Sequence, residues 1–424
     1  MSVRSILFIL NIVAVVLLGY VVVRALRKSP ETSEPANLTP FYGDEDLENR
    51  RLERGLGAAL VFAAVVAVAL PLYWLREPNR QDSSIEYFDE GAAARGEVLY
   101  ANSTSEVFNA AVSLQCANCH GSNGEGGAAN SIFTPPDGDP IQVSWKAPAL
   151  DTVFLRYSED EVRDVLFYGR PGTPMQAWGV AGGGPKNDQS IDDLLAYLAT
   201  IQLTPEEAKA RTDEDLAAAR RADDDAVTAA EEALTAAEET RTKAEDDLAE
   251  IEDSPDATDI DLRDAEQALE DAEQGVADAE EAVAWTQAYA ASREGVTDGQ
   301  LLFELNCARC HTSGWSIFDP TRPGGTLVLG KPGGGGTIGF NLRDGGPVNR
   351  FGPGEAGATS QAEFIKAGSE KNKPYGRFGQ GSGRMPGFGE LLTDEQIDAV
   401  VEYEREDLDD TTYLEPDALD GGQE

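Results

Sequence analysis

Apolar residues form two unbroken runs near the start of the chain. Residues 5–23 (SILFILNIVAVVLLGYVVV) and 55–75 (GLGAALVFAAVVAVALPLYWL) contain no charged side chain. At about 1.5 Å per residue, each run approaches the ~30 Å thickness of a bilayer core. The pattern predicts two transmembrane helices, one within segment 1–28 and one within segment 55–76. The alternative for the first run is a cleaved signal peptide, although its basic residues follow the apolar run instead of preceding it.

The charges around these runs predict their orientation. Only Arg4 precedes the first run, whereas six basic residues lie between the two runs: Arg24, Arg27, Lys28, Arg50, Arg51 and Arg54. Basic loops stay in the cytoplasm, so loop 29–54 is predicted to be cytoplasmic and everything after residue 76 to lie outside. Tyr73 and Trp74, at the end of the second run, suit a membrane–water interface.

A polar linker, 77–90, leads into two similar units, 91–202 and 294–408. Each unit is predicted to begin and end with a helix and to contain Gly/Pro-rich loops between them. The predicted helices cover 91–101, 158–168 and 191–201 in the first unit, and 297–305, 362–367 and 392–403 in the second. A tail, 409–424, is acidic and is predicted to be mobile.

Segment 204–292 has a heptad pattern and a different composition, rich in alanine and acidic residues. Ser254 and Pro255 interrupt the pattern, which predicts two antiparallel helices forming a coiled-coil hairpin. The predicted seam is Val227, Ala230, Leu234, Ala237, Arg241, Ala244, Leu248 and Ile251 on one arm and Leu262, Ala265, Leu269, Ala272, Val276, Ala279 and Val283 on the other. The fold class is therefore mainly α. The hairpin is either a solvated spacer or an arm that docks on another subunit.

The charge balance limits the possible partners. The chain has 76 acidic and 34 basic residues, for a formal net charge of −42. Nucleic-acid binding requires a basic surface, so no nucleic-acid partner is expected. The acidic surface either promotes solubility or binds a basic partner.

Each unit contains one Cys-x-x-Cys-His motif, the attachment pattern of c-type haem. At this spacing two thiols reach the two vinyl groups of one porphyrin, and the following histidine is placed on the iron. The motifs contain every cysteine and histidine of the chain: Cys116, Cys119, His120, Cys307, Cys310 and His311. A redox-active cysteine pair or a zinc site would not explain a histidine after both pairs. The sequence therefore predicts two covalently bound haem c groups, attached outside the cytoplasm.

Two methionines are predicted to be the second axial ligands of the irons. Apart from Met1, the chain contains only Met175 and Met385, each in a Gly/Pro-rich turn before the closing helix of its unit. A thioether opposite an imidazole raises the reduction potential of the haem. An isolated methionine is more often a core residue, but here there is one at the equivalent place in each unit.

The two units resemble class I cytochrome c domains, in which a helix precedes Cys-x-x-Cys-His and a methionine loop precedes the closing helix. The resemblance implies that the first and last helices cross. It also implies that a proline carbonyl accepts the proximal imidazole N–H, a role that Pro148 fits in the first unit. In the second unit residues 339–342 stand where that proline is expected, which leaves Pro332, Pro347 or another carbonyl.

Two membrane spans followed by two such domains resemble the di-haem subunits of bcc-type quinol–cytochrome c reductases and of cbb3-type oxidases. The resemblance implies an electron-transfer subunit, not a catalyst on its own. It would sit in the cell membrane with its haem domains on the periplasmic side. Its expected partners are respiratory complex subunits and another cytochrome as donor or acceptor. The alternative is a di-haem peroxidase-like oxidoreductase, which needs an open iron position and an acid–base group, although no further histidine is available.

Overall fold

The computed structural model describes Tyr20, Glu48 and residues 52–134, 140–318, 331–336, 339–369 and 385–412. The chain divides into one unit at Met1–Ser84 and another at Ile85–Glu424. The first predicted membrane span and most of the predicted cytoplasmic loop lie outside the described residues, as does most of the acidic tail.

Helix α1 spans Leu52–Tyr100 and contains the second apolar run. Among the described residues it is the one helix long and apolar enough to cross a membrane. Its large apolar side chains, including those of Leu60, Phe62 and Leu75, are exposed. The segment predicted as linker, 77–90, is also helical, partly because Arg80 and Gln81 both bond to the Glu77 carboxylate within one turn.

The first domain follows from the C-terminal end of α1. A capping box between Ser158 and Glu161 begins its central helix, and the Asn187 side chain caps its closing helix. Its further elements are α2 (Ala117–His120), β1 (Gly127–Phe133), β2 (Ile141–Ala147), α3 (Val153–Arg156), α4 (Glu159–Tyr168) and α5 (Asp188–Thr200).

The second domain repeats this order of helices around its own core. Thr393 and Gln396 form the capping box that begins its closing helix, as their spacing indicates. Its elements, numbered after two helices described below, are α8 (Asp298–Asn306), α9 (Ala308–His311), β3 (Ile317–Phe318), α10 (Gly346–Phe351), α11 (Gly354–Ala367) and α12 (Asp394–Glu406). Helix α11 is longer than the predicted 362–367.

The first and last helices of each domain cross at a glycine. A Cβ atom added to Gly96 would overlap the Asp193 carbonyl of α5, and one added to Gly299 would overlap the Ala399 carbonyl of α12. Aromatic pairs lie beside both crossings, Tyr100 with Tyr197 and Phe303 with Tyr403. The two domains are therefore built around the same helix contact.

Replacing Gly299 with alanine is expected to destabilise the second domain by about 1–3 kcal/mol, because the added methyl group forces the two helix backbones apart. The measurement is the urea midpoint of unfolding, followed by circular dichroism of the full chain in detergent. The matched control is Gly275→Ala, where nothing lies within 4 Å of an added Cβ and alanine should stabilise the helix by about 0.5–1 kcal/mol. Equal effects of both substitutions would contradict the close helix contact.

Strands from both domains form one antiparallel sheet in the order β1-β2-β3. Within the first domain β1 pairs with β2, and the second domain adds β3, so that Ser144 pairs with Phe318 and Trp145 with Ile317. The Lys146 N–H also donates to the Ser316 carbonyl at 2.7 Å. The sheet therefore joins the loops that follow the two Cys-x-x-Cys-His motifs.

Two long helices, α6 (Pro205–Glu252) and α7 (Asp259–Ser292), form the predicted antiparallel hairpin. Every predicted seam position is buried or partly buried, and most other positions are exposed. The Gln287 side chain reaches the Glu231 carboxylate on the opposite arm at 3.0 Å. Arg241, at its seam position, is near the Glu245 carboxylate of the next turn at 3.4 Å.

The base of the hairpin lies against both domains. In the first turns of α6, Arg211 pairs with Asp151 of the first domain. One residue on, the Thr212 hydroxyl donates to the Leu391 carbonyl of the second domain at 3.0 Å, and Leu216 belongs to the second domain's core. The hairpin base therefore contacts both domains and connects them.

Candidate haem sites

The first motif places the imidazole of His120 for metal ligation. Helix α2 contains this residue, whose Nδ1 lies 2.8 Å from the Pro148 carbonyl oxygen. A carbonyl can only accept, so Nδ1 carries the proton and Nε2 keeps its lone pair for the iron. Burial lowers the pKa of His120, which favours the neutral form that binds a metal.

The second motif makes the same contact with a different residue. The His311 Nδ1 atom lies 2.8 Å from the Phe340 carbonyl oxygen, so the accepting residue is neither Pro332 nor Pro347. The loop can approach this closely because it has a glycine beside the motif. A Cβ atom added to Gly339 would lie 2.6 Å from the Cys310 carbonyl oxygen. Burial lowers the pKa of His311 as well.

The four cysteines have the properties of attachment points, not of a redox pair. All are free thiols in the structure. Burial raises the pKa of each thiol, that of Cys116 to about 12, whereas reactive dithiols have lowered values. In the part of the chain that the structure describes, no group of three or more His, Cys, Asp or Glu side chains could hold a metal ion.

Met175 and Met385 occupy equivalent turns. The helix before each turn ends in a glycine with positive φ, Gly169 after α4 and Gly368 after α11. A Cβ added to either glycine would lie 2.6 Å from the carbonyl oxygen of the methionine in that turn. Both methionines are partly buried against the cores of their domains.

One cavity of about 1200 Å³ is lined by both motifs and both methionines. Pockets for single drug-sized ligands usually measure about 300–1,000 Å³, so this cavity is larger than a typical pocket for one ligand. His120 and Met175 line it from the first domain, and His311 and Met385 from the second. The residues present therefore fit two porphyrins, with imidazole and thioether groups available to their irons and thiols to their vinyl groups.

Six basic side chains also line this cavity, and no motif in the sequence marks them. Three belong to the first domain, one to the base of the hairpin and two to the second domain. They are Lys146, Arg156, Arg170, Arg211, Arg309 and Arg350. The sequence could not predict this cluster, because its members are far apart in the chain and come together only when the two domains pack.

A buried carboxyl group, Glu404, lines the cavity near the second motif. Burial raises the pKa of Glu404 to about 7, opposed by a hydrogen bond from Gln361 (2.7 Å) and by the charge of Arg405. The group is therefore neutral in acid and ionises as the pH rises through about 7.

The reduction potential of the second haem is expected to fall as the pH rises from 6 to 8, because ionised Glu404 favours Fe(III) over Fe(II). Potentiometric titration at both pH values measures it. Glu404→Gln keeps an acceptor for Gln361 and should abolish the dependence, whereas Glu402→Gln, at an exposed position of the same helix, should leave it unchanged. A dependence that persists in Glu404→Gln would contradict the assignment.

Two protein families match parts of the chain. Residues 93–202 match the family described as cytochrome c. Residues 294–403 match the family described as cytochrome c oxidase, cbb3-type, subunit III. No curated protein and no solved structure matches the chain. The matches cover both domains and leave out the hairpin, and they imply one covalently bound haem c in each domain.

Proposed function

Because the chain is a di-haem c-type cytochrome that resembles cbb3-type subunits, we propose that it is a membrane-anchored electron carrier of a respiratory chain. In this proposal it passes single electrons between its two haems and serves as a subunit of a terminal oxidase. Haem c supplies the one-electron redox chemistry. The protein would hold it through Cys116, Cys119, Cys307 and Cys310, and His120, Met175, His311 and Met385 would be the ligands of the two irons.

The shared cavity is the observation that carries the proposal. Electron transfer between haems requires them to be close, and both motifs face the same space. Two further contacts support a fixed arrangement of the domains, the β2–β3 pairing and the hydrogen bond from Arg309 to the Lys146 carbonyl. The hairpin is thus a projection from a pair of adjacent haem domains, not a rod that separates them.

The anchoring and the choice of complex rest on other observations. Helix α1 has exposed apolar side chains over a length that matches the thickness of a bilayer core. The match over residues 294–403 favours an oxidase over a quinol-oxidising reductase as the partner complex. The proposal places the haem domains on the periplasmic side, with two spans in the membrane. The methionine facing the cavity in each domain favours electron transfer over peroxidase chemistry, which requires an open iron.

Flash photoreduction of the full-length protein in detergent tests the electron path. An electron placed on one haem should redistribute to the other with a first-order rate that does not depend on protein concentration. A rate proportional to protein concentration would show that electrons move between molecules, and the proposed internal path would then fail.

Purification of the native complex in mild detergent tests the partner. Mass spectrometry of co-purifying proteins should find the catalytic subunit of an oxygen-reducing oxidase. Recovery with a quinol-oxidising cytochrome b instead would move the protein to the reductase. Recovery of the chain alone would contradict its role as a subunit.

A further inference from the structure

Arg309 connects the two haem sites through a contact between domains. It is the third residue of the second motif, yet its Nη1 donates to the Lys146 carbonyl oxygen of β2 at 2.7 Å. The residue also lines the shared cavity. Arg309 also lies within electrostatic range of Arg156.

Arg156 approaches the same place from the first domain. It ends helix α3, and its Nη2 donates to the Ala149 carbonyl oxygen at 3.1 Å. Its Nε atom is buried and has no hydrogen-bond partner. A buried N–H group without a partner costs about 1–3 kcal/mol, so the guanidinium of Arg156 still has capacity for an acceptor.

These two arginines lack the acidic partners that other arginines of the chain have. Among the described residues neither guanidinium contacts a carboxylate, although the chain has 76 acidic and only 34 basic residues. By contrast, ion pairs with acids are formed by Arg80, Arg95, Arg163, Arg211, Arg220 and Arg293. Two like charges that line the same cavity repel each other, and an anion bound between them would relieve this repulsion.

We propose that Arg156 and Arg309 form a cation pair shared by the two haem sites, which binds haem propionate carboxylates and raises the reduction potential of both haems. This inference rests on the proposed function, since it needs two adjacent haems. Arginine is suited to the role because it holds carboxylates through two parallel hydrogen bonds and stays charged. A nearby positive charge favours Fe(II) over Fe(III) by Coulomb attraction.

Redox titrations of the full-length holoprotein, with Arg309→Gln and Arg156→Gln, test the proposal. Each substitution should lower the potentials of both haems, including the haem of the other domain. The expected size is a change of up to about tenfold in the Fe(II)/Fe(III) ratio at a fixed potential, or 59 mV for one electron. The potential that moves most in a Met385→Leu background identifies the second haem.

Controls separate this effect from loss of any positive charge and from folding defects. Arg220→Gln removes a cation that pairs with Asp298 outside the cavity, and it should leave both potentials unchanged. If Arg309→Gln fails to incorporate haem, as judged by haem absorbance per protein, Arg156→Gln, which lies outside both motifs, decides the question. A shift confined to the haem of the mutated domain, or no shift at all, overturns the shared pair.

A separate experiment tests whether the bound anion is a haem propionate or an anion from solution. Phosphate is exchanged for chloride at constant ionic strength while both potentials of the wild-type protein are measured. Unchanged potentials support propionates as the bound anions. Potentials that follow the phosphate concentration in the wild-type protein but not in Arg309→Gln would show that a solution anion occupies the site, and would overturn the assignment to haem propionates. If the shared cation pair is wrong, electrons should still redistribute between the haems after photoreduction. Failure of this inference can therefore be distinguished from failure of the proposed function.

Discussion

Replacing Met385 with leucine is expected to convert the second haem from low spin to high spin and to open its iron to carbon monoxide. Leucine nearly conserves the volume of methionine, so the packing against the second core is kept while the thioether is lost. The reduction potential should fall by on the order of 0.1 V, within the ~0.8 V range that axial ligation spans. Optical spectra of the reduced protein, with and without carbon monoxide, measure the change.

The first haem provides the matched control for this substitution. Met175→Leu should produce the same changes in the first haem and leave the second low-spin, because the two methionines lie in different turns of different domains. Carbon monoxide binding by half of the total haem is thus expected in each variant. A fully low-spin spectrum of Met385→Leu would show that another group ligates the iron, and His311 would then lack its proposed partner.

The local parts of this site could be predicted from the sequence. The Cys-x-x-Cys-His spacing predicts the attachment residues because thioether geometry requires it, and the scarcity of methionine singles out Met175 and Met385. The structure places all of these residues along one cavity. The heptads of the hairpin also predicted its seam, since every seam position is at least partly buried. These features depend on residues that are close in sequence or on a strict period, which is the information that a single sequence contains.

Features that arise between distant segments could not be predicted. The contact from His311 to Phe340 uses a backbone carbonyl, which any residue supplies, so no side chain marks it. The pairing of Trp145 with Ile317 joins segments about 170 residues apart. The helical continuation of α1 through the polar linker also went unpredicted, because Pro78 and the polar residues around it are typical of loops as well.

Replacing Arg293 with methionine is expected to destabilise the second domain by about 3–5 kcal/mol, because it leaves a carboxylate buried without its partner. Arg293 follows α7 and donates to both oxygens of Glu304 in α8, at 3.0 and 2.9 Å. It also reaches Asp223 of α6 at 2.9 Å. The side chains of Arg293 and Glu304 are only 9% and 8% exposed. The pKa of Arg293 is raised by these partners despite its burial, so its charge is permanent.

The measurement is the urea midpoint of the second domain, followed by the absorbance of its haem. Two further variants separate a broken buried pair from a general loss of charge. Arg293→Met combined with Glu304→Leu removes both charges of the buried pair and should recover most of the stability, because an apolar pair of similar volume can replace a buried ion pair. Asp223 also loses its partner, but its side chain is 28% exposed and remains hydrated. Arg220→Gln breaks an exposed pair with Asp298 and should cost less than about 1 kcal/mol.

If the double variant is no more stable than Arg293→Met, the cost comes from lost packing between the hairpin and the domain. If the double variant recovers the stability, the cost in Arg293→Met comes from leaving one charge of a buried pair without its partner. The hairpin base is then joined to the second domain by an ion pair of which neither member can be removed alone.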